Sequence, residues 1–178
     1  MQQAESQALL ALTEALLDEV TDTQRFTEGN IVRMHRRWLG EIYSWAGEYR
    51  RVNVAKGDVL FAAADQVPRL MAELGRGELA TPTPCQGMRD ERLVRAFAVV
   101  HAELILIHPF REGNGRLARL LNTLMAAQVD FPLLDFGGIK GQARAAYFAA
   151  IQAAAGRDHG PIEQVFEGVP QRTLRTVR

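Results

Sequence analysis

Apolar residues recur every three or four positions along most of this chain, and this spacing constrains its fold more than any other feature. It places apolar side chains on one face of an α-helix, and that face must pack against other helices. The spacing predicts six helices, over about 9–20, 27–47, 67–74, 93–107, 113–124 and 142–155. The sequence therefore predicts an all-α fold.

One short segment shows the alternation of a β-strand instead. Val52 and Val54 alternate with polar residues before the turn-forming residues 56–58, and Val59 and Phe61 alternate after them. This pattern predicts a β-hairpin. A lone two-stranded hairpin is marginally stable, so we expect this one to lean on the helices or on a bound partner.

The composition excludes several classes of protein. The 21 Lys and Arg residues balance the 21 Asp and Glu residues, so no overall charge attracts nucleic acid or an anionic membrane. The single cysteine, Cys85, offers neither an internal disulfide nor a Cys/His zinc site. We predict one domain over 1–178, with an N-terminal helix in 1–25, a core of about 26–162 and a C-terminal tail in 163–178.

The N-terminal residues 1–7 lack the basic flank and apolar run of a signal peptide. No apolar stretch in the sequence approaches the length that a membrane-spanning helix needs. We therefore expect a cytoplasmic protein, or one that is delivered to another cell by a route without a classical signal.

The segment 108–119 concentrates charged and flexible residues. Its Gly113-Asn114-Gly115 stretch can point successive backbone N–H groups into one concavity at the start of a helix, where the helix dipole favours an anion. Arg116 and Arg119 are three residues apart and project from one helix face. Two guanidinium groups suit a polyphosphate, because their geometry matches phosphate oxygens.

Two further residues of this segment have the chemistry of a reaction site. Glu112 is repelled by bare phosphates unless Mg²⁺ lies between them, so Mg²⁺ is expected. Pro109 disfavours the α conformation at His108, which places this histidine at the end of the fourth helix, where it can accept a proton near neutral pH. Glycine turns, paired arginines and helix-end histidines are each common in structural roles. Their concentration within twelve residues favours a site.

The segment matches the Fic signature HxFx(D/E)GNGRxxR at all eight of its defined positions. The similarity extends to Trp45-Ala46-Gly47 with Tyr49 and Arg50, to the hairpin and to 101–107, and it covers most of 26–162. The chain thus resembles the Fic (Fic/Doc) family, of the protein adenylyltransferase type. This resemblance implies a Fic fold, a helical domain in which the hairpin forms a flap over the active-site loop.

The resemblance also implies a reaction, the transfer of AMP from ATP to a Tyr, Thr or Ser hydroxyl of a target protein by a bacterial toxin or effector. His108 would then be the general base, and Glu112 would hold Mg²⁺. The residues implied to bind the ATP phosphates are Gly113, Asn114, Gly115, Arg116 and Arg119.

Residues outside the signature also have predicted roles. The resemblance implies that the hairpin residues Val54, Val59 and Phe61 dock the target chain, by adding a strand to the flap. Tyr147 either stacks on adenine or packs within the protein. His101 lies on an apolar helical stripe, so a buried structural role is the better interpretation.

Many Fic proteins are restrained by a helix with the motif (S/T)xxxE(G/N), whose glutamate pairs with the second signature arginine. Three Glu-Gly pairs occur here, at Glu28, Glu112 and Glu167, and none completes the motif. A separate small antitoxin protein is therefore the expected inhibitor, with Glu167 as the alternative in a degenerate version.

The signature leaves other functions open. A Doc-type kinase shares the fold, although the intact Gly115-Arg116 pair favours nucleotide transfer. Transfer of uridine monophosphate or phosphocholine, and removal of AMP, are further alternatives within the family. A binding module without activity is the alternative from another class, and the intact base and carboxylate argue against it.

Overall fold

The computed structural model describes residues 1–56, 59–139, 141 and 143–176, and it is mainly helical. Its elements are α1 (Gln2–Glu19), α2 (Glu28–Leu39), β1 (Ala55–Lys56), β2 (Val59–Leu60), α3 (Val67–Arg76), α4 (Asp90–Ile107), α5 (Asn114–Ala127), α6 (Ala143–Ala155) and α7 (Gly160–Thr176). The predicted all-α fold with a small hairpin is confirmed. Among the helices of these residues, none has the length and apolar character that crossing a membrane requires.

Helix α4 lies at the centre of the packing. It contacts α3, α5, α6 and α7, while α1 packs on α2 and α5. Its side chains Phe97, Val100 and Leu104 have at most 1 % of their surface exposed. Because α4 is surrounded, the residue at its C-terminal end is held by the whole core.

Helix α2 begins as predicted and ends earlier than predicted. The Thr27 side chain accepts a hydrogen bond from Asn30 N, and Asn30 Oδ1 accepts one from Thr27 N, which closes a capping box. The helix ends at Leu39, whereas the apolar spacing predicts that it continues to Gly47. After Leu39 the chain forms successive turns that keep Ile42 and Trp45 against the core, so the spacing persists without the helix.

Helix α7 is not predicted by the sequence. Residues 163–178 were expected to form a tail, but α7 packs on α4 and α6 and buries Ile162, Phe166 and Val169. Pro170, inside the helix, lacks the N–H that an uninterrupted helix would use, which weakens the helical signal of the sequence. The buried apolar face outweighs this cost.

The hairpin is shorter than the predicted one. Its antiparallel register pairs Ala55 with Leu60 and Lys56 with Val59, so Val54 and Phe61 flank the strands. The turn residues predicted at 57 and 58 lie outside the described residues. One backbone hydrogen bond, from Ala62 N to Leu106 O (3.0 Å), joins the outgoing end of the hairpin to α4.

We expect Phe166→Ala to lower the free energy of unfolding by about 3–5 kcal/mol, because the substitution leaves a cavity under α7. Leu174→Ala, on the same helix but with Leu174 49 % exposed, should cost less than about 1 kcal/mol. Urea denaturation followed by circular dichroism measures both. Equal small effects would show that α7 is not part of the cooperative core.

Candidate active site

The 108–113 loop joins the two central helices. Helix α4 ends at Ile107, and His108 follows it in the left-handed conformation (φ 50°, ψ 58°). Pro109 disfavours helical backbone at His108, which explains why the helix stops there. Helix α5 begins at Asn114, and the predicted placement of His108 at a helix junction is confirmed.

The imidazole of His108 is held in one tautomer. Its Nδ1 lies 3.2 Å from the carbonyl oxygen of Ile105, which only accepts hydrogen bonds, so Nδ1 carries the hydrogen and Nε2 keeps its lone pair. The ring stacks on Phe61 with 3.8 Å between the centroids. Burial lowers the pKa of His108 to about 4, against the opposing effect of the hydrogen bond to Ile105. The ring is therefore an uncharged proton acceptor at neutral pH.

The turn at Gly113 prepares the start of α5. Gly113 has φ 84°, and a Cβ at this position would lie 2.6 Å from Cζ3 of Trp38, so only glycine fits. The first backbone N–H groups of any α-helix have no partner within the helix. No side chain among the described residues caps this end. These N–H groups and the helix dipole form a site for an anion.

Asn114 is pinned within the loop. Its Oδ1 accepts a hydrogen bond from Phe110 N, and its Nδ2 donates one to Phe110 O, both at 2.9 Å. The side chain is 2 % exposed. The amide group of Asn114 thus fixes the shape of the loop, and only its backbone N–H is left for an anion.

Glu112 lies beside this turn with 59 % of its side chain exposed. Its Oε1 accepts hydrogen bonds from Gly113 N (2.9 Å) and from Arg116 Nη2 (3.3 Å). The described part of the chain contains no group of three or more metal-ligating side chains. An ion at Glu112 would therefore take its other ligands from phosphates and water, a ligand set that is typical of Mg²⁺.

Arg116 and Arg119 line one cavity of about 320 Å³ next to α1. The structure thus brings the two predicted phosphate ligands together. Arg116 is already paired, since its Nη1 lies 2.7 Å from Oε2 of Glu5, and its guanidinium lies over the Trp38 ring at 4.6 Å. Arg119 is exposed, and its side chain forms no hydrogen bond or ion pair within the described residues.

Glu5, the partner of Arg116, is a site residue that the sequence does not predict. It is 5 % exposed, and its Oε1 accepts a hydrogen bond from the Tyr43 hydroxyl at 2.6 Å. The hydrogen bonds from Tyr43 and Arg116 lower its pKa. Glu167, the alternative restraint, lies instead in a groove with Glu163 and Asp130. No local sequence pattern marks Glu5, because its partners lie on other elements.

His35 is the second residue that was missed. Its Nδ1 accepts a hydrogen bond from Gly47 N (2.8 Å), so Nε2 carries the hydrogen and donates to Glu112 O (3.1 Å). Its ring stacks on Phe110 with 3.8 Å between the centroids. His35 therefore fixes the backbone at Glu112. Its place on the apolar stripe, four residues after Ile31, is the signal that predicts its burial.

The remaining predicted residues differ in exposure, and among them Phe61 contacts His108. Val59 is buried and Val54 is half-buried, while Phe61 covers the imidazole. The Tyr147 hydroxyl lies 2.8 Å from Nε2 of His101, so this hydroxyl is already bound. His101 is 1 % exposed, as its place on an apolar stripe predicts.

A family model described as the Fic/DOC family matches residues 25–126 of the chain. The chain is 30 % identical over 95 residues to Protein adenylyltransferase VbhT of Bartonella schoenbuchensis, which covers 53 % of the chain and 20 % of that protein. It is 29 % identical over 181 residues to Protein adenylyltransferase Fic of Nematostella vectensis, which covers 97 % of the chain and 39 % of that protein. The chain thus spans less than half the length of these two curated relatives.

The fold is similar to that of solved structures. A Fic domain containing signaling protein from Bacteroides thetaiotaomicron superposes with a TM-score of 0.72 at 22 % identity, covering 97 % of this chain and 69 % of that one. The BepC protein from Bartonella tribocorum, solved with bound AMPPNP, also has a TM-score of 0.72, at 20 % identity, covering 94 % of this chain and 85 % of that one. At this identity the likeness shows a shared fold.

We expect the free energy of unfolding to fall as the pH falls from about 6.5 towards 4. Burial lowers the pKa of His35 and His108 to about 4 and that of His101 to about 3. The unfolded chain, with histidine pKa values near 6.5, binds these protons first. Each such group lowers stability by up to about 1.4 kcal/mol per pH unit in this window. Above pH 6.5 the contribution of the neutral histidines is complete.

Urea denaturation at pH 7.5, 6.0 and 5.0 measures this slope. His35→Gln keeps a donor for the Glu112 carbonyl and removes one titrating group. The free energy of unfolding of this variant should therefore depend less steeply on pH, by the contribution of one proton. A free energy of unfolding that stays constant between pH 7.5 and 5.0 would show that these histidines are not held in neutral form.

Proposed function

This chain belongs to the Fic/DOC family, and from its active-site loop we propose that it is a protein adenylyltransferase, which transfers AMP from ATP to a Tyr, Thr or Ser hydroxyl of a target protein. One observation carries the proposal. His108 is neutral, its Nε2 keeps a free lone pair, and the same loop continues into the anion site at the start of α5. The relatives named as protein adenylyltransferases support it.

In this reaction Nε2 of His108 accepts the proton of the target hydroxyl. The hydroxyl oxygen forms a bond to the α-phosphorus of ATP, the bond from this phosphorus to the bridging oxygen breaks, and pyrophosphate leaves. The Nδ1–H bond to Ile105 keeps the ring oriented, so Nε2 is the basic atom throughout. The left-handed backbone at His108 sets where this atom lies.

The start of α5 binds the phosphates in this proposal. Backbone N–H groups at 113–115 face the oxygens that gain charge, that of Gly113 once it leaves the Glu112 carboxylate. Arg116 and Arg119 contact the β and γ phosphates. Glu112 would hold Mg²⁺, which neutralises phosphate charge when it is bound. The BepC protein, which shares this fold, was solved with bound AMPPNP, and this supports nucleotide binding by the chain.

We also propose that the hairpin docks the target segment and that Tyr147 contacts the adenine of ATP. Val54 and Val59 lie on the hairpin where a target segment can add as a strand, and Phe61 keeps the imidazole in place beneath it. Because the Tyr147 hydroxyl is bound to His101, only the ring of Tyr147 is left to contact adenine.

We propose a separate small antitoxin protein as the inhibitor of this site. No Glu-Gly pair of the chain completes the inhibitory motif. The cavity beside Arg116 and Arg119 is lined by the apolar side chains Leu9, Leu134 and Phe136. An amphipathic helix with a carboxylate suits this combination, because its apolar face covers the leucines while the carboxylate meets an arginine.

We expect His108→Ala to reduce transfer by about 10²–10⁴-fold, because the substitution removes the base. ATP affinity should stay within about threefold of wild type, since the phosphate ligands remain. Incubation of target-containing lysate with ATP labelled at the α or the γ phosphate, followed by gel electrophoresis, measures transfer.

The position of the label separates the alternatives. Retained α-label shows adenylylation, and retained γ-label with no α-label shows a Doc-type kinase. If neither label is transferred although ATP binds, the chain acts as a binding module or the lysate lacks its target. Wild-type transfer by His108→Ala would exclude its role as the base.

We expect Glu5→Gln to strengthen ATP binding by at least about fivefold. Arg116 meets a phosphate only after it leaves Glu5, and even an exposed ion pair is worth up to about 1 kcal/mol, or about fivefold in Kd. Because Glu5 is almost buried, the release of Arg116 costs more than this. Isothermal titration calorimetry with ATP and Mg²⁺ measures the change. Glu14→Gln, an exposed residue of the same helix, is the matched control and should have no effect. Weaker binding by Glu5→Gln would show that Glu5 orients Arg116 for the phosphate.

A further inference from the structure

Arg50 is a buried charge with an unusual set of partners. It is 1 % exposed, and every hydrogen bond that its guanidinium makes within the described residues goes to a backbone carbonyl oxygen. Nε donates to His108 O (2.7 Å), and Nη1 donates to Val52 O (2.7 Å). Nη2 donates to Ala62 O and to Ile107 O (3.2 Å). No carboxylate pairs with it among these residues.

The four carbonyl groups belong to the two parts of the site that the reaction must align. Val52 precedes the hairpin and Ala62 follows it, while Ile107 and His108 end α4. The backbone strengthens the same junction, because Arg50 N donates to Pro109 O at 2.8 Å. The guanidinium thus joins both ends of the hairpin to the backbone of His108.

The position also suits a cation that lacks a carboxylate partner. The last carbonyl groups of a helix have no partner within it, and the C-terminal end of the helix dipole is negative. The guanidinium at the end of α4 satisfies these carbonyl groups and is stabilised by the dipole. Its planar fork of five donors can reach several acceptors at fixed angles, which an ammonium group cannot do.

The contact to His108 bears on the strained backbone there. His108 adopts the left-handed conformation, which is unfavourable for residues other than glycine and persists only where surrounding contacts enforce it. In the left-handed conformation the carbonyl oxygen of His108 points at Arg50 Nε, and the hydrogen bond between them stabilises this orientation. The imidazole follows the backbone, so its Nε2 is directed by the same contact.

We propose that Arg50 is a positioning residue that fixes the hairpin and His108 in one geometry, so that a hydroxyl presented on the hairpin meets Nε2 of His108. This rests on the proposed adenylyltransferase function. A charge alone does not suffice for this role, because the four acceptors lie in different directions around the guanidinium.

Arg50→Lys tests the role of the fork, since it keeps the charge. We expect transfer from ATP to fall by about 100-fold, as small misplacements of reacting groups do, while the Kd for ATP changes by less than about threefold. Nitrogen-15 NMR of the histidine rings should show that His108 no longer holds the single Nδ1–H tautomer. Arg37→Lys is the matched control, because Arg37 forms an exposed pair with Glu19 and should change none of these readouts.

Arg50→Ala with added guanidinium ion gives a second, independent measurement. About 10 mM guanidinium should restore part of the transfer rate and the single tautomer, whereas ethylammonium at the same concentration should restore neither. Wild-type transfer and an unchanged tautomer in Arg50→Lys would overturn the proposal. So would unfolding of both variants, since Arg50 would then be a purely structural residue.

The tautomer readout separates this inference from the proposed function. If wild-type protein transfers no label but Arg50→Lys still disturbs His108, the adenylyltransferase proposal fails and the positioning role stands. If wild-type protein transfers AMP and Arg50→Lys does so equally well, the positioning role fails alone.

Discussion

The end of α4 is the constraint on which both the fold and the site depend. The helix is surrounded by four others, so its last turn cannot shift without disturbing the core. Pro109 prevents the helix from continuing, and His108 adopts a left-handed backbone in consequence. The cost of this conformation is offset by contacts that converge on the junction, from Ile105 and Arg50. A rigid helix end thus directs the side chain that we propose as the general base.

Buried polar groups around this junction are almost all paired, which explains why the loop has one shape. His35 links Gly47 to Glu112, and Asn114 closes the loop on Phe110. A buried polar group without a partner costs free energy, so each of these contacts excludes alternative loop conformations. His101 Nδ1 is an exception, a buried ring nitrogen that has no hydrogen-bond partner among the described residues. Its burial lowers the pKa to about 3, so the ring stays neutral.

Local patterns predicted most of the helices and the position of the loop, because apolar spacing, the Thr27 cap and Pro109 act within a few residues. The predicted end of α2 was wrong because the successive turns after Leu39 keep the same apolar spacing as a helix. Helix α7 was missed because Pro170 weakens a signal that only burial against α4 and α6 restores. The contacts of Glu5, His35 and Arg50 join distant parts of the chain, and no short pattern encodes them.

The pairing of Arg116 with Glu5 bears on the phosphate binding that we propose for this site. Arg116 has 27 % of its side chain exposed, and Glu5 is almost buried, so a phosphate that takes Arg116 leaves a carboxylate with Tyr43 as its remaining hydrogen-bond donor. A buried carboxylate that loses its cation is costly. The first turn of α1 is itself held at the core, because Trp38 Nε1 donates a hydrogen bond to Glu5 O at 2.8 Å. In the proposed function, phosphate binding therefore competes with an ion pair that joins Arg116 to α1.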